Sequence, residues 1–266
     1  LNLQMGEDKK GCSFLEKSLQ INPDQPMISF NLGNSYAIQK NFPKALKFFK
    51  ITILKAPDYV DAYIKKGELL TGLKIHNEAI DCFKNALKLA PKNLQILNSI
   101  GVNLLELDEA EDALEYFKQC IKIDKTIAIF YNNAGLAAYK MNRFNESIEY
   151  FNLCINKSPN TGYFYSNRGL SFQALKKLNL AMEDFNKCTS LDPKYPESYW
   201  NKSLIHLFQG NYKDGWELYE YRWQSFAKEW ARDYPKKLWL GNESIKNKVI
   251  FIYPEQGHGD FIQCYR

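Results

Sequence analysis

Five glycines stand 34 residues apart in this chain, and this spacing constrains its fold more than any other feature. They are Gly33, Gly67, Gly101, Gly135 and Gly169. A fixed period of 20 to 50 residues is typical of repeat proteins, in which no unit can bury its apolar face alone. The sequence therefore predicts a stack of similar units rather than one globular core.

Other positions repeat with the same period. The residue twelve places after each glycine is small: Ala45, Ala79, Ala113, Ser147 and Ala181. An aromatic residue follows four places later: Phe49, Phe83, Phe117, Phe151 and Phe185. A proline usually stands 24 places after the glycine, at Pro57, Pro91, Pro159 and Pro193, with Lys125 as the exception. Several periodic positions thus define one unit.

The spacing of these residues predicts two helices in each unit. Helices of about a dozen residues with short turns fit into such a period. The glycine and the small residue let the two helices lie close together, and the aromatic ring fills the space between them. The proline ends the second helix because it cannot donate the next backbone hydrogen bond. Stacked copies of this hairpin predict an all-α, right-handed superhelical solenoid.

This pattern resembles the tetratricopeptide repeat over about residues 1–222. We expect a partial repeat at 1–25, five full repeats over 26–195, and an atypical last repeat with an aromatic capping segment over 196–232. In the partial repeat, residues 1–4 are expected to end a first helix and residues 9–21 to form a second. Because the first repeat is open, its apolar face is a candidate surface for self-association.

In the resembled repeat the first helix of each unit lines the concave groove. The position two residues before the periodic glycine holds Asn31, Lys65, Ser99, Asn133 and Asn167, and Asn201 stands at the same position of the last repeat, where Ser203 replaces the glycine. A row of amides can pair with an extended peptide backbone, and this row looks like the asparagine ladder of O-linked N-acetylglucosamine transferases. Asparagine is also a tolerated polar residue that bonds locally, so both interpretations stay open. Other expected groove residues vary along the chain, which suits a protein ligand; they include Asn98, Asn132, Tyr163 and Trp200.

The last part of the chain does not follow the repeat pattern. Pro235 and Gly241 indicate a linker over 233–248. The apolar run 249–253 suits a buried strand, and residues 254–266 read as a glycine-containing loop followed by the start of a helix. Residues 249–266 thus predict the beginning of a truncated α/β domain. A loop between a strand and a helix presents backbone N–H groups to a ligand.

The tail also resembles the junction between tetratricopeptide repeats and a heptosyltransferase-like glycosyltransferase domain of the GT-B fold in bacterial proteins. The resemblance rests on pairs such as Gly215-Trp216 and Leu238-Trp239 and on the loop around His258, which stands where an apolar residue is expected. It implies a phosphate or ligand loop of Glu255, Gln256, Gly257 and Gly259, and Asp260 as a general base. Asp260 as a plain helix N-cap is the alternative. We expect no catalysis from these residues alone, because a GT-B enzyme needs a second half.

The charge and the cysteine content limit the classes of partner and the cellular compartment that we expect. The net charge of +5 is spread among interspersed acids and bases, so a nucleic-acid partner is not expected. No apolar run reaches the roughly 20 residues of a membrane span. Cys120, Cys154 and Cys188 share one repeat position, too far apart for disulfides, which fits a reducing compartment such as the cytoplasm. We predict no metal and no cofactor.

These observations favour a protein-interaction scaffold that binds an extended partner segment in its groove. The alternative is the acceptor-recruiting region of a bacterial glycosyltransferase.

Overall fold

The computed structural model describes residues 2–225, 244 and 246, with side chains from residue 11 onward. All secondary-structure elements of the described residues are helices, joined by short turns. The helices are α1 Asn2–Ile21, α2 Pro26–Ile38, α3 Phe42–Lys55, α4 Val60–Gly72, α5 His76–Leu89, α6 Leu94–Glu106, α7 Ala110–Ile123, α8 Ala128–Lys140, α9 Phe144–Lys157, α10 Gly162–Ala174, α11 Leu178–Leu191, α12 Pro196–Phe208 and α13 Tyr212–Tyr219, followed by a 3₁₀ helix, Glu220–Gln224.

Consecutive helices pair into hairpins, with α2 against α3 and so on to α10 against α11. We call the even-numbered partner of each hairpin the A helix and the odd-numbered partner the B helix. Each B helix also packs on the A helix of the next hairpin as far as α10. The chain divides into two compact units, residues 1–192 and 193–266. The first contains the five full hairpins, and the second contains α12, α13 and the 3₁₀ helix.

The glycine position confirms the predicted close packing of the two helices. A Cβ atom added to Gly33 would lie 2.5 Å from the ring of Phe49, and one added to Gly67 would lie 2.8 Å from Phe83. The same contact recurs in the other three repeats, at 2.6 to 2.7 Å. All five phenylalanine rings are at most 1% exposed. Each A helix therefore rests directly on a buried ring of its B helix.

In each turn between an A and a B helix, one residue has the left-handed backbone conformation, which was not predicted from the sequence. The residues are Lys40, Lys74, Asp108, Asn142 and Lys176, with φ of 58° to 60°, and Gly210 with φ of 82°. In the first of these turns the backbone N–H of Asn41 donates to the backbone carbonyl of Tyr36 at 2.8 Å, and this bond closes the end of α2. Lysine at such positions gives no sequence signal, because glycine is the usual residue there.

One prediction for the N-terminal segment is wrong. A break between residues 4 and 9 was expected, but α1 is a single helix from Asn2 to Ile21. Each A–B turn in the five full repeats joins two helices that pack on each other, whereas α1 packs on the following helix α2 and its Glu16 lies 3.8 Å from Lys44 of α3. The helix therefore continues through Gly6, which costs only about 1 kcal/mol relative to alanine.

The five cysteines of the described residues are free and buried: Cys12, Cys82, Cys120, Cys154 and Cys188. Burial raises the pKa of Cys120 to about 11 and that of Cys154 to about 12. These two thiols are therefore protonated at neutral pH and act as small apolar groups.

The helices of the described region are all too short or too polar to cross a bilayer. The predicted linker, strand and loop over 233–266 lie outside the described residues, apart from Ser244 and Lys246. The same is true of the predicted loop and base residues, namely Glu255, Gln256, Gly257, Gly259 and Asp260.

Candidate functional site

Four asparagines on three successive A helices form a chain of side-chain hydrogen bonds, which we call the amide chain. Asn167 of α10 donates through Nδ2 to Asn132 Oδ1 of α8 at 2.8 Å. Asn132 Nδ2 donates to Asn133 Oδ1 at 3.1 Å, and Asn133 Nδ2 donates to Asn98 Oδ1 of α6 at 2.9 Å. The amide chain thus links three repeats along one row of helices.

The amide chain uses two neighbouring repeat positions. Asn133 and Asn167 stand two residues before the glycine, whereas Asn98 and Asn132 stand three before it. Each bond between helices joins residues 35 apart, one repeat plus one residue. From sequence, only the first position was interpreted as a ladder, and Asn98 and Asn132 were placed among the variable groove residues. The signal that identifies the second position is the Asn132-Asn133 pair, with a further asparagine one period away on each side.

Burial divides the amide chain into an inner pair and two ends. Asn132 and Asn133 are 3% and 7% exposed, while Asn98 and Asn167 are half-buried. A buried amide without partners costs about 1 to 3 kcal/mol, so the inner pair depends on its mutual bonds. At the ends, Asn98 Nδ2 and Asn167 Oδ1 bond no other group among the described residues. These two atoms belong to half-buried residues and keep unused hydrogen-bonding capacity.

The A helix directly before the amide chain, α4, carries charges instead of amides. Lys65 of α4 is exposed and donates to Glu68 Oε2 at 2.8 Å. Gln95 of α6 donates to the other oxygen of Glu68 at 2.7 Å, so the contact reaches the next repeat. Asn31 of α2 is exposed. The predicted groove residues therefore form a charged section on α4 and an uncharged section on α6, α8 and α10.

A second polar cluster, formed by α4, α5 and α6, is centred on the buried amide of Asn103. Asn103 is 1% exposed and donates to the Ser99 carbonyl at 2.8 Å. Its Oδ1 accepts from Thr71 Oγ1 at 3.0 Å and from His76 Nδ1 at 2.9 Å. Because the carbonyl of Ser99 fixes the orientation of the amide, His76 carries its proton on Nδ1. This cluster joins two repeats.

The remaining predicted groove residues lie in α10 and α12. Tyr163 is half-buried and makes an edge contact with Phe164 at 4.6 Å between ring centroids. Burial raises the pKa of the Tyr163 hydroxyl, so it stays protonated at neutral pH. In the second unit, Trp200 is half-buried and Asn201 is buried.

An ion pair inside the fifth repeat was not predicted. Arg168 of α10 donates to both carboxylate oxygens of Asp184 in α11, at 2.8 Å and 2.7 Å, and to Asn152 of α9 at 2.7 Å. Asp184 is buried, and this burial raises its carboxyl pKa against the opposing effect of Arg168. The pair fixes α10 on its neighbours and leaves no open carboxylate.

Within the described part of the chain, no group of three or more His, Cys, Asp or Glu side chains could hold a metal ion.

The helical hairpins with their buried glycine–phenylalanine contact define a tetratricopeptide repeat protein. The family model of the tetratricopeptide repeat matches residues 60–93, 94–127, 128–161 and 163–195, just over half of the chain. The chain belongs to this family.

Solved structures show the same fold at low sequence identity. A tetratricopeptide repeat protein from Parabacteroides merdae is 17% identical with a TM-score of 0.71, covering 85% of this chain and 90% of its own. YrrB, described as a TPR protein with an unusual peptide-binding site, is 18% identical with a TM-score of 0.59 over 71% of this chain and 97% of its own. MamA is 20% identical with a TM-score of 0.59 over 65% and 94%. No curated protein matches the chain.

Proposed function

We propose that this tetratricopeptide repeat scaffold binds an extended segment of a protein partner along the A helices α6, α8 and α10. The observation that carries the proposal is the amide chain, whose ends leave one donor and one acceptor without partners. A peptide group carries one carbonyl and one N–H, so it is complementary to these two atoms. Backbone pairing of this kind gives affinity with little demand on side-chain sequence.

Two further features support a peptide ligand. The exposed groove residues Asn31 and Lys65 and the half-buried Tyr163 extend the polar and aromatic surface along neighbouring A helices. YrrB, which shares the fold, is a TPR protein with an unusual peptide-binding site. The predicted contributions of Trp200 and Asn201 belong to the second unit and stay predictions.

Three predictions from the sequence stand beside this proposal. The transferase alternative depends on residues 249–266, which lie outside the described part of the chain. A cytoplasmic location is supported by the five free thiols, since a reducing compartment keeps thiols unpaired.

Self-association through the first helix is supported by Phe14 of α1, which is 71% exposed. Sedimentation equilibrium of the chain and of Phe14→Ser tests it, because a dimer formed there should dissociate in the variant.

The peptide proposal is tested by selection from an unbiased displayed peptide library. Enriched peptides are synthesised with a terminal photoreactive group, and their binding is measured by fluorescence anisotropy. We expect saturable binding and cross-links to α6, α8 and α10. Cross-links confined to the odd-numbered helices, or no enrichment over an unrelated helical protein, would contradict the proposal.

A further inference from the structure

A group of exposed lysines lies on three successive B helices, and we call it the lysine patch. It consists of Lys50 of α3, Lys84 and Lys88 of α5, and Lys118 and Lys122 of α7. These residues stand 17 or 21 places after the periodic glycines, so equivalent positions recur from one helix to the next. In the sequence the lysines are interspersed with acids, and they form a patch because the repeats stack.

We propose that the lysine patch is a second interaction surface, which binds an acidic segment of a protein partner that also carries apolar side chains. The patch lies on B helices and the amide chain on A helices, so this inference does not depend on the proposed peptide groove. Exposed apolar side chains on the same three helices complete the surface: Leu54 of α3, Leu89 of α5 and Ile123 of α7. The surface therefore offers both positive charge and apolar contact.

The lysines of the patch are available to a partner. Lys50, Lys84 and Lys122 make no hydrogen bond or ion pair with any described residue. Lys88 and Lys118 each donate one hydrogen bond to a side chain of their own helix, at 3.1 Å and 2.9 Å. On α5 and on α7 two patch lysines stand four residues apart, where like charges repel each other and disfavour the helix. The fold therefore gains little from these cations.

The helix dipole accounts for only two of the lysines. Lys88 and Lys122 lie in the last turn of their helices, where a cation is favourable. Lys50, Lys84 and Lys118 lie five residues before the helix ends, where this effect has faded. The patch is also confined to the first three full repeats, since the same positions of α9 and α11 are uncharged: Asn152, Asn156, Asn186 and Ser190.

Acidic residues border the patch on two sides and limit what can bind it. Asp81 of α5 and Glu115 of α7 are exposed and lie about one helical turn before the lysines. The turns after α3 and α7 contain Asp58 and Asp124. The positive surface is therefore a band across the C-terminal halves of α3, α5 and α7.

A band of this kind fits a protein segment better than a nucleic acid or a membrane. Proteins that bind single-stranded nucleic acids stack bases on aromatic side chains, and the patch has none. A membrane surface is wide enough to face both halves of the helices, so Asp81 and Glu115 would meet its negative headgroups. A narrow segment can cross the lysines alone and place its apolar side chains on Leu54, Leu89 and Ile123. Because exposed ion pairs are individually weak, several must act together.

The first experiment measures the binding of defined probes to the whole chain. A labelled peptide built from the repeat Glu-Glu-Leu-Ser is compared by fluorescence anisotropy with a Gln-Gln-Leu-Ser peptide of the same length. We expect saturable binding of the acidic peptide alone. Its affinity should fall as the salt concentration rises, because salt screens exposed charges.

Charge reversal then locates the site. The variant Lys50→Glu, Lys84→Glu, Lys122→Glu changes one unpaired lysine on each helix and should weaken binding by about tenfold or more. Glutamine at the same three positions should give a smaller loss. The control variant changes the net charge equally at three exposed lysines of the fifth repeat: Lys176→Glu, Lys177→Glu and Lys187→Glu. It should weaken binding by less than about threefold. Circular dichroism checks that the variants remain folded.

The apolar contact is tested separately. Leu54→Ser removes the most exposed apolar side chain of the surface and should weaken binding by about threefold or more. Leu180→Ser is the matched control, because Leu180 is an exposed leucine on α11, outside the patch. An equal effect of the two substitutions would overturn the apolar part of the proposal.

Three other results would overturn the acidic segment. Equal losses in the patch variant and the lysine control would show attraction by net charge alone. Absence of binding, or equal binding of the uncharged peptide, would remove the acidic ligand. Phosphatidylserine vesicles or single-stranded RNA that bind more tightly than the peptide, and lose binding in the patch variant, would assign the patch to another class of partner. Peptide selection on the A helices is independent of all these outcomes.

Discussion

The contact inside each repeat and the contact between successive A helices follow different rules. Inside the repeat, a glycine rests on a phenylalanine ring in the same way in all five hairpins, within 0.3 Å. Between A helices the contact varies along the chain: Glu68 with Gln95 joins α4 to α6, whereas an asparagine pair joins α6 to α8 and again α8 to α10. The constant contact makes the repeat, and the variable contacts leave room for recognition.

The largest expected effect comes from the fifth repeat, in which an ion pair with a buried carboxylate joins the two helices in addition to the constant packing. Arg168→Met leaves the buried carboxylate of Asp184 without its bidentate partner. We expect a loss of about 3–5 kcal/mol in the free energy of unfolding at pH 8, measured by urea denaturation. The double variant Arg168→Met, Asp184→Leu should recover most of it, and an equal loss in both would contradict the role of the pair.

The pH dependence of the Arg168→Met variant follows from the same pair. Burial raises the pKa of Asp184 even with Arg168 present, and removal of the cation raises it further. A folded-state pKa above the unfolded value means that the folded state binds the proton more tightly, so the variant gains stability as the pH falls. The difference in unfolding free energy from the unsubstituted chain should therefore be smaller at pH 5 than at pH 8. A difference that grows as the pH falls would contradict the assignment.

The constant contact itself is tested by Gly135→Ala. The added methyl group would meet the ring of Phe151 at 2.7 Å, so the ring or the helix has to move. We expect a loss of about 1–3 kcal/mol in the free energy of unfolding. Gly72→Ala is the control, because a Cβ there meets nothing within 4 Å. Equal effects in the two variants would show that helix propensity, rather than the ring contact, decides the outcome.

The variable contact is tested by Asn132→Ala in α8. The substitution leaves Asn133 Oδ1 and Asn167 Nδ2 without their partners in the amide chain. We expect a loss of about 1–2 kcal/mol, the cost of an unsatisfied buried amide. Asn31→Ala, at an exposed position of α2, should change stability by less than about 0.5 kcal/mol. If both variants are neutral, the amide chain contributes nothing to the junction.

The same contrast explains how much of the structure could be predicted from sequence. The glycine–phenylalanine contact was predictable because the two residues recur at a fixed distance in every unit. The inner pair of the amide chain was only half predictable, since its bonds join residues 35 apart across two repeat positions. Arg168 and Asp184 occur once, and a single pair carries no periodic signal. The continuous α1 was missed because a turn was assumed wherever the repeat pattern placed one.

The smallest expected effect concerns the turns between A and B helices, which share one backbone conformation but differ in the residue that adopts it. Lys74 has a φ of 60° where the corresponding residue of the last turn is Gly210, with a φ of 82°. A left-handed conformation costs a residue with a Cβ about 1 kcal/mol, whereas glycine adopts it readily. Lys74→Gly should therefore raise the free energy of unfolding by about 0.5–1 kcal/mol, and Gly210→Ala should lower it by a similar amount. Both changes are measurable as opposite shifts of the urea midpoint. Shifts in the same direction would mean that the side chain of Lys74 contributes more to the turn than its backbone strain costs.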